Sequence, residues 1–270
     1  MFAVILLTVI AGVCLLAPLL APYEPNATLD INGLNHAHPS LANPLGTDDL
    51  SRDVLSRLLY GGRLSLTVAL VATVVSVTLG TMYGAIAGFT DGIVSTIMAR
   101  ILDALLAIPR LLLLIAIFAA WRDVDTTLFV LILGMTGWYA LARLVRGQVL
   151  ALKRQDFVAS AGALGATRMR ILTRHIFPNL VSPVVVAAML GLGHVIVLEA
   201  GLSWLGIGVK LPQPSWGNMI YDGSSSLDYM ATYWWIAFFP GLAVVLTVVA
   251  FNILGDALLR ALSPGQSGIE

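Results

Sequence analysis

The side chains of this sequence that could do chemistry are four histidines and a group of charged residues near position 50. His36, His38, His175 and His194 form no His-Glu-x-x-His pair, and none pairs with Cys14 at metal-ligand spacing. No serine lies in a Gly-x-Ser-x-Gly turn. The sequence therefore gives little support to a membrane protease or another membrane enzyme.

The charged group alternates acidic and basic residues over a short distance. It comprises Asp48, Asp49, Arg52, Asp53 and Arg57. Carboxylates this dense could bind a metal ion, but the interleaved arginines favour a lattice of salt bridges on a solvated loop. We expect a helix from Asp49 onward, capped by Thr47 or Asp48.

Composition places these residues in a membrane protein. Hydrophobic residues make up 58% and charged residues 11% of the 270 residues, and the mean hydropathy is +0.90. Because so little polar surface could cover a core in water, the sequence predicts an all-α, polytopic membrane protein surrounded by lipid. The formal net charge of +0 offers no basic excess for nucleic acid, and we expect no nucleic-acid partner.

Six apolar stretches are candidates for membrane-spanning helices, each of about the length that crosses a bilayer. They cover 2–20, 64–89, 105–121, 128–144, 180–198 and 233–259. Loops are predicted at 21–63, 90–104, 122–127 and 199–231, and 261–270 is a tail after a membrane domain at 64–260. Six transmembrane helices are therefore expected.

The first stretch has two interpretations. A cleaved signal peptide normally carries a basic leader, whereas the first basic residue here is Arg52, so a retained span is favoured. The missing basic anchor also leaves open a start upstream of Met1. Cys14, within this stretch, is expected to be a packed thiol.

Small and aromatic residues refine the later spans. Gly80, Gly84 and Gly88 recur on one face of the second span, where they would let another helix approach closely. Residues 233–235, Tyr-Trp-Trp, are expected to anchor the sixth span at headgroup level.

The basic residues predict the orientation of the spans. One side of the membrane holds the loops at 90–104 and 142–177 and both termini, and it receives ten of the 15 basic residues, counting Arg110 near its boundary. The other side receives Arg52, Arg57, Arg63, Arg122 and Lys210. The richer side should be cytoplasmic, together with both termini. A polar stretch at 156–179 then faces the cytosol, and its many small residues predict a docking surface.

This stretch resembles the cytoplasmic loop of permease subunits from binding-protein-dependent ABC importers. The shared pattern is Ala159-Ser160-Ala161, three residues, Gly165, nine residues, His175, then Phe177-Pro178. Ala159 stands where the family usually has Glu, and His175 where it has Ile. Residues 45–61, 199–219 and 238–264 look like the second permease of dipeptide, oligopeptide and nickel importers, so the resemblance covers nearly the whole chain.

The resemblance implies a type I ABC importer permease fold and a division of labour between subunits. The partners would be a homologous second permease, two cytosolic ATPase subunits that bind ATP and Mg²⁺, and an extracytoplasmic solute-binding protein. The chain itself would bind no cofactor and would not be an enzyme, since neither Lys153 nor Lys210 follows a glycine as in a phosphate-binding loop.

The resemblance also suggests site residues. The residues expected to couple the chain to the ATPase are Asp156, Ala159, Ser160, Ala161, Gly165, Ala166, Arg168 and Pro178. The residues expected to contact the binding protein or gate the path are Asp48, Arg52, Asp53, Arg57, Glu199, Trp204 and Trp216. No catalytic or metal-binding residue is expected.

The cargo and the energy source keep alternatives. Short peptides are the expected cargo, with nickel or its chelate as the alternative, and His194 could then lie along the path, although a packing role fits a single histidine better. A proton-coupled secondary transporter would need no ATPase. The acidic residues fall at the ends of spans, with Glu199 and Asp256 nearest the interior, which favours the ABC importer.

Overall fold

The computed structural model describes residues 1–31, 33–121 and 124–262, which fold as helices and connecting loops. The helices are α1 (Phe2–Leu15), α2 (Ala17–Leu20), α3 (Val54–Phe89), α4 (Gly92–Leu106), α5 (Arg110–Ala120), α6 (Thr126–Leu152), α7 (Asp156–Ala163), α8 (Arg168–Ile171), α9 (Phe177–Trp204), α10 (Trp216–Asp222), α11 (Leu227–Thr232) and α12 (Trp235–Leu262). A π-helical turn, Leu172–Ile176, joins α8 to α9.

Four helical stretches of the described chain are long and apolar enough to cross a membrane. They are α3, α6, the continuous run Arg168–Trp204 and α12. Helices α4 and α5 together form a fifth candidate, bent by 77°, and α1 is a shorter apolar helix of 14 residues that α2 extends. This arrangement is compatible with the predicted six spans.

The bent pair corrects the prediction for 90–121. Residues 90–104 were expected to be a connection, but most of them belong to α4, which is 15 residues long. The break falls at Pro109, which lacks a backbone N–H and disfavours helical geometry in the residue before it. One helix before the proline and one after it replace the predicted single span at 105–121.

Contacts divide the described chain into two units. The first contains Met1–Val71, Ile115–Val130 and Leu192–Leu254, and the second contains Ala72–Leu114, Leu131–Gly191 and the described residues from 255 onward. The first unit holds both long loops. The second holds the 156–179 stretch.

A buried cluster of the first unit forms around Trp235, the first residue of α12. Trp235 is fully buried, packs with Val54, Met219 and Ile236, and donates its indole N–H to the carbonyl of Thr47 at 3.1 Å. Of the predicted aromatic anchor, Trp235 is therefore an interior residue, since a fully buried ring has no face left for lipid headgroups.

The second unit depends on the predicted glycine stripe of α3. A Cβ atom on Gly80, Gly84 or Gly88 would lie 2.4 to 2.9 Å from a backbone carbonyl of α6. Any side chain at these positions would push the two helices apart. The expectation that these glycines permit close helix packing is confirmed.

The start of α3 differs from the prediction. The helix begins at Val54, and Asp53 caps it by accepting hydrogen bonds from the Ser56 N–H at 2.8 Å and the Ser56 hydroxyl at 2.7 Å. Asp48, the predicted cap, instead closes a turn by accepting from the backbone N–H groups of Leu50 and Arg52. Residues 122 and 123 of the predicted turn, and 263–270 of the predicted tail, lie outside the described residues.

Candidate functional site

The 156–179 segment begins with the short helix α7, which ends abruptly just before Gly165. The N–H of Ala166 donates to the carbonyl of Ala161, and the N–H of Gly165 to that of Gly162, both at 3.0 Å. This pair of bonds needs a left-handed residue, and Gly165 supplies it with φ of +83°. The small residues therefore form a short helix, and Gly165 ends it.

The segment then turns into the long helical run that crosses the membrane. Thr167 caps α8, its side chain accepting from the N–H of Arg170 at 3.4 Å. Helix α8 continues through the π-helical turn into α9, so the chain after Gly165 is one continuous helical element. Only four residues, 164–167, separate α7 from that element, so a displacement of α7 acts close to it.

Apolar side chains hold the segment on the second unit. Four buried side chains belong to the segment and the start of α9: Val158, Ile171, Ile176 and Leu180. They pack with Ala85, Val145 and Val149. Ala161 and Ala166 are only partly exposed and pack against the same cluster. These two alanines, expected among the coupling residues, therefore also contact the cluster that holds the segment.

The other predicted coupling residues lie on the exposed face. They are Asp156, Ala159, Ser160, Gly165, Arg168 and Pro178. The same face carries three large apolar side chains that the sequence reasoning did not single out: Phe157 at 43%, Leu164 at 89% and Met169 at 67% exposure. Their apolar type within a polar stretch was the available signal. Large apolar side chains left exposed close together are typical of a protein-docking surface.

A lysine fastens the chain just before the segment. Lys153 donates to the carbonyl of Phe89 at 2.9 Å and to the carboxylate of Asp91 at 2.8 Å. The hydrogen bond from Lys153 and its positive charge lower the pKa of the exposed Asp91 carboxyl. Lys153 therefore ties the end of α6 to the end of α3.

The charged group near position 50 forms a buried network in the first unit, which we call the Asp–Arg lattice: Asp48, Arg52, Arg57 and Asp222. Arg52 donates through Nε to Asp48 at 2.6 Å, and the Nε of Arg57 lies 3.5 Å from the same oxygen. Both arginines reach Oδ2 of Asp222 at 3.4 Å. The predicted lattice is present, but the expectation that it is solvated is wrong.

Burial shapes the electrostatics of the lattice. The side chains of Arg57 and Asp48 are 1% and 2% exposed, and that of Asp222 is 15% exposed. Burial raises the pKa of the Asp222 carboxyl, and the nearby charges of Arg57 and Arg52 oppose that rise. Paired charges of this kind fix the geometry of a loop, because either partner alone would be a buried, unneutralised charge.

Glu199 ties helices to the second long loop. The Ser65 and Ser203 hydroxyls each donate to its carboxylate at 2.9 Å, and Ser65 also accepts from the backbone N–H of Trp216 at 3.3 Å. Glu199 is completely buried and lies inside α9, so the predicted loop begins after Trp204 and not at 199. Trp216 is also buried and donates its indole N–H to the carbonyl of Leu58.

The residues proposed from sequence to contact the binding protein or gate the path therefore differ in exposure. Six of them are buried: Asp48, Arg52, Asp53, Arg57, Glu199 and Trp216. Their side chains shape the loops from inside. Trp204 alone of this set is broadly exposed, at 48%, and its indole N–H donates to the Ser224 hydroxyl at 2.8 Å.

The fold and these two regions define a class: a multi-pass helical membrane protein with a short helix, α7, packed on its second unit and extensive structured loops. The family described as "Binding-protein-dependent transport system inner membrane component" matches residues 80–268. The chain belongs to this family of transport components, and it works with other subunits.

Individual relatives agree with the family. The chain is 38% identical to the oligopeptide transport system permease protein OppC of Bacillus subtilis, over 98% of this chain and 85% of that protein. It is 40% identical to the glutathione transport system permease protein GsiD of Escherichia coli, over 98% and 85%. For the dipeptide transport system permease protein DppC of B. subtilis the identity is 38%, over 84% and 70%.

A solved structure confirms the fold. A chain of the inward-facing MetNI methionine ABC transporter superposes with a TM-score of 0.61 at 20% identity, covering 77% of this chain and 97% of that one. The chain has the type I ABC importer permease fold. The family match leaves the proton-coupled secondary transporter without support.

Proposed function

We propose that this chain is one of two permease subunits of an ATP-driven peptide importer and that its 156–179 segment couples it to the ATPase. The observation that carries the coupling role is the anchored, exposed helix α7. Its outer face is small and apolar, and its inner face is buried in the second unit through Val158.

The mechanism follows from this two-sided packing. An ATPase that moves against the exposed face would displace α7 together with the buried cluster below it, because close-packed side chains transmit displacement instead of absorbing it. Gly165, which has a left-handed backbone conformation, follows α7 and separates it from the long helical run that begins at Arg168. Rigid-body motion of this kind would switch the path between outward and inward access.

The other subunits supply what this chain does not. Two cytosolic ATPase subunits bind ATP and Mg²⁺ and dock on 156–179, a homologous second permease completes the path, and an extracytoplasmic binding protein delivers solute to the loops. Both termini are then cytoplasmic, in agreement with the bias of ten basic residues against five.

Peptides are proposed as the cargo because of the relatives. Those described above are named for the transport of oligopeptides, dipeptides and glutathione, which is itself a small peptide. Nickel remains the alternative within the same family.

Ala159 offers a clean test of docking. It is exposed on α7, so Ala159→Trp adds bulk to the outer face without straining the backbone, whereas Gly165→Trp would also force a left-handed conformation. We expect peptide-stimulated ATP hydrolysis of the reconstituted complex to fall by about tenfold or more, as a buried steric clash of about 1.4 kcal/mol or more would produce.

The matched control is Ala261→Trp, the same change at an exposed alanine near the end of α12, outside both 156–179 and the two long loops. It should leave hydrolysis within about twofold of the unmodified complex. Both variants should insert and assemble. Normal stimulated hydrolysis in Ala159→Trp would remove the coupling assignment.

A further inference from the structure

A cavity of about 580 Å³ opens in the first unit beside the Asp–Arg lattice. Its lining residues are Asp49, Trp204, Leu205, Tyr221, Asp222, Ser224, Ser225 and Tyr229. The volume falls within the range of small-molecule sites. From the chemistry of this lining, we propose that the cavity binds an organic ammonium group, the amino terminus of a transported peptide.

Aromatic rings form one part of the wall. Trp204 and Tyr221 are 48% and 53% exposed, so their faces are accessible to a ligand. Ser224 holds the Trp204 ring in place, because its hydroxyl accepts the indole N–H at 2.8 Å. The hydroxyl of Tyr229, also in the lining, is fixed by the ring of His36 at 2.8 Å. Oriented aromatic faces attract cations.

Carboxylates form the other part. The side chain of Asp49 is 49% exposed, and its carboxylate is 3.6 Å from Arg52, a loose contact. Both guanidinium contacts of Asp222 use Oδ2, so Oδ1 is not engaged by an arginine. Asp49 therefore keeps most of its capacity to accept hydrogen bonds from a ligand.

The charge balance favours a cation. Three carboxylates, Asp48, Asp49 and Asp222, meet two guanidiniums, Arg52 and Arg57, which leaves an excess of one negative charge. Among the described residues that line the cavity, none is Lys or Arg. A primary ammonium carries the complementary charge and three N–H donors, which carboxylates and aromatic rings both attract.

The identity of the ammonium as a peptide terminus rests on the proposed function. A free amino terminus is common to all unmodified peptides, whereas their side chains vary. A site that recognises only this group would admit peptides of many sequences.

The test uses the purified complex of both permeases and the ATPases, without the binding protein. Equilibrium dialysis measures the binding of trialanine, of N-acetyl-trialanine and of n-butylammonium. We expect acetylation to weaken binding by roughly tenfold, since it removes the positive charge and two donors. Asp49→Asn should weaken the binding of trialanine and of n-butylammonium to a similar extent. Trp204→Leu should weaken the binding of both probes more than Trp204→Phe does, because Phe keeps an aromatic ring.

Asp228→Asn is the matched control, because Asp228 is an exposed carboxylate of α11 outside the lining. It should bind all three probes as the unmodified complex does. Equal binding of trialanine and its acetylated form, or unchanged binding in Asp49→Asn, would overturn the proposal.

Two further outcomes separate this inference from the proposed function. If the complex with its binding protein takes up no peptide but n-butylammonium binds through Asp49, the peptide assignment fails. If Asp49→Asn alters only the affinity for the binding protein, the ammonium belongs to a basic side chain of that protein, and the assignment to solute is overturned.

Discussion

Replacing Glu199 tests whether buried hydrogen bonds hold the second long loop in place. Glu199→Ala removes the carboxylate that accepts from Ser65 and Ser203 at 2.9 Å each. Both hydroxyls are buried, so neither gains water as a replacement partner. The Ser65 hydroxyl accepts a hydrogen bond from the backbone N–H of Trp216, and without Glu199 nothing would fix the orientation of that hydroxyl.

The magnitude follows from the two hydrogen bonds. A hydrogen bond to a charged group contributes about 1.5 to 3 kcal/mol, and removal of the carboxylate also relieves the cost of burying it. The balance predicts a loss of about 2 to 4 kcal/mol in the free energy of unfolding of the first unit. Glu199→Gln retains one acceptor oxygen and the side-chain volume, and should lose about 1 kcal/mol.

Cys14 provides the assay. It is 5% exposed and approaches Gly62, the residue that the Trp216 ring also approaches, so loosening of the Trp216 loop should uncover the thiol. If labelling follows transient opening, 2 to 4 kcal/mol corresponds to a labelling rate in detergent about 30-fold to 1000-fold faster.

An unchanged rate of Cys14 labelling in Glu199→Ala, at equal protein recovery, would show that the hydrogen bonds to Glu199 do not hold the loop in place. So would a Glu199→Gln variant as labile as Glu199→Ala, because the retained oxygen would then contribute nothing.

Three further predictions concern helix packing and the loops. Gly84→Ala should cost about 1 to 3 kcal/mol, because its Cβ would lie 2.4 Å from the Ala142 carbonyl oxygen; Gly147→Ala, with nothing within 4 Å, is the control in a thermal melt. Asp53→Ala should lower the free energy of unfolding by about 0.5 to 2 kcal/mol and Asp53→Asn by less, since Asn also caps helices, as the same melt would show. Arg57→Met should cost about 1.5 to 3 kcal/mol, because Asp48 and Asp222 each lose one arginine partner and keep Arg52; an Arg57→Met protein as stable in detergent as the unmodified one would contradict that role.

The helical scaffold was predictable because its signals are local. Long apolar stretches specify spans, and glycines four residues apart specify a close helix contact, which Gly84 and Ala142 make. The left-handed stop at Gly165 was equally readable, since glycine adopts that conformation without a steric penalty. These features depend on neighbours in sequence.

Burial of the polar residues was not predictable in the same way. Charge usually indicates solvent, yet Arg57 is 1% exposed because Asp222, 165 residues away, neutralises it. The helix cap is Asp53 and not the predicted Thr47 or Asp48, and Asn43, ten residues before it, donates to Asp53 at 2.9 Å and holds it in place. Local sequence periodicity does not predict which residues of two different loops will pair.

The outer face of α7 lies between these cases. Sequence singled out its small residues, but not Leu164, which at 89% exposure is the most exposed large apolar side chain of the segment. An apolar residue within a polar stretch can turn either way, and only the packing of Val158 beneath the helix decides which face is free.

The most direct measurement is recovery of the chain from detergent-solubilised membranes, with its partners identified and ATP hydrolysis assayed with a peptide-loaded binding protein. We expect a second permease and ATPase subunits in the purified complex, ATP hydrolysis stimulated by peptide, and loss of that stimulation in Ala159→Trp. A chain that purifies alone and moves peptide on a proton gradient would contradict this expectation.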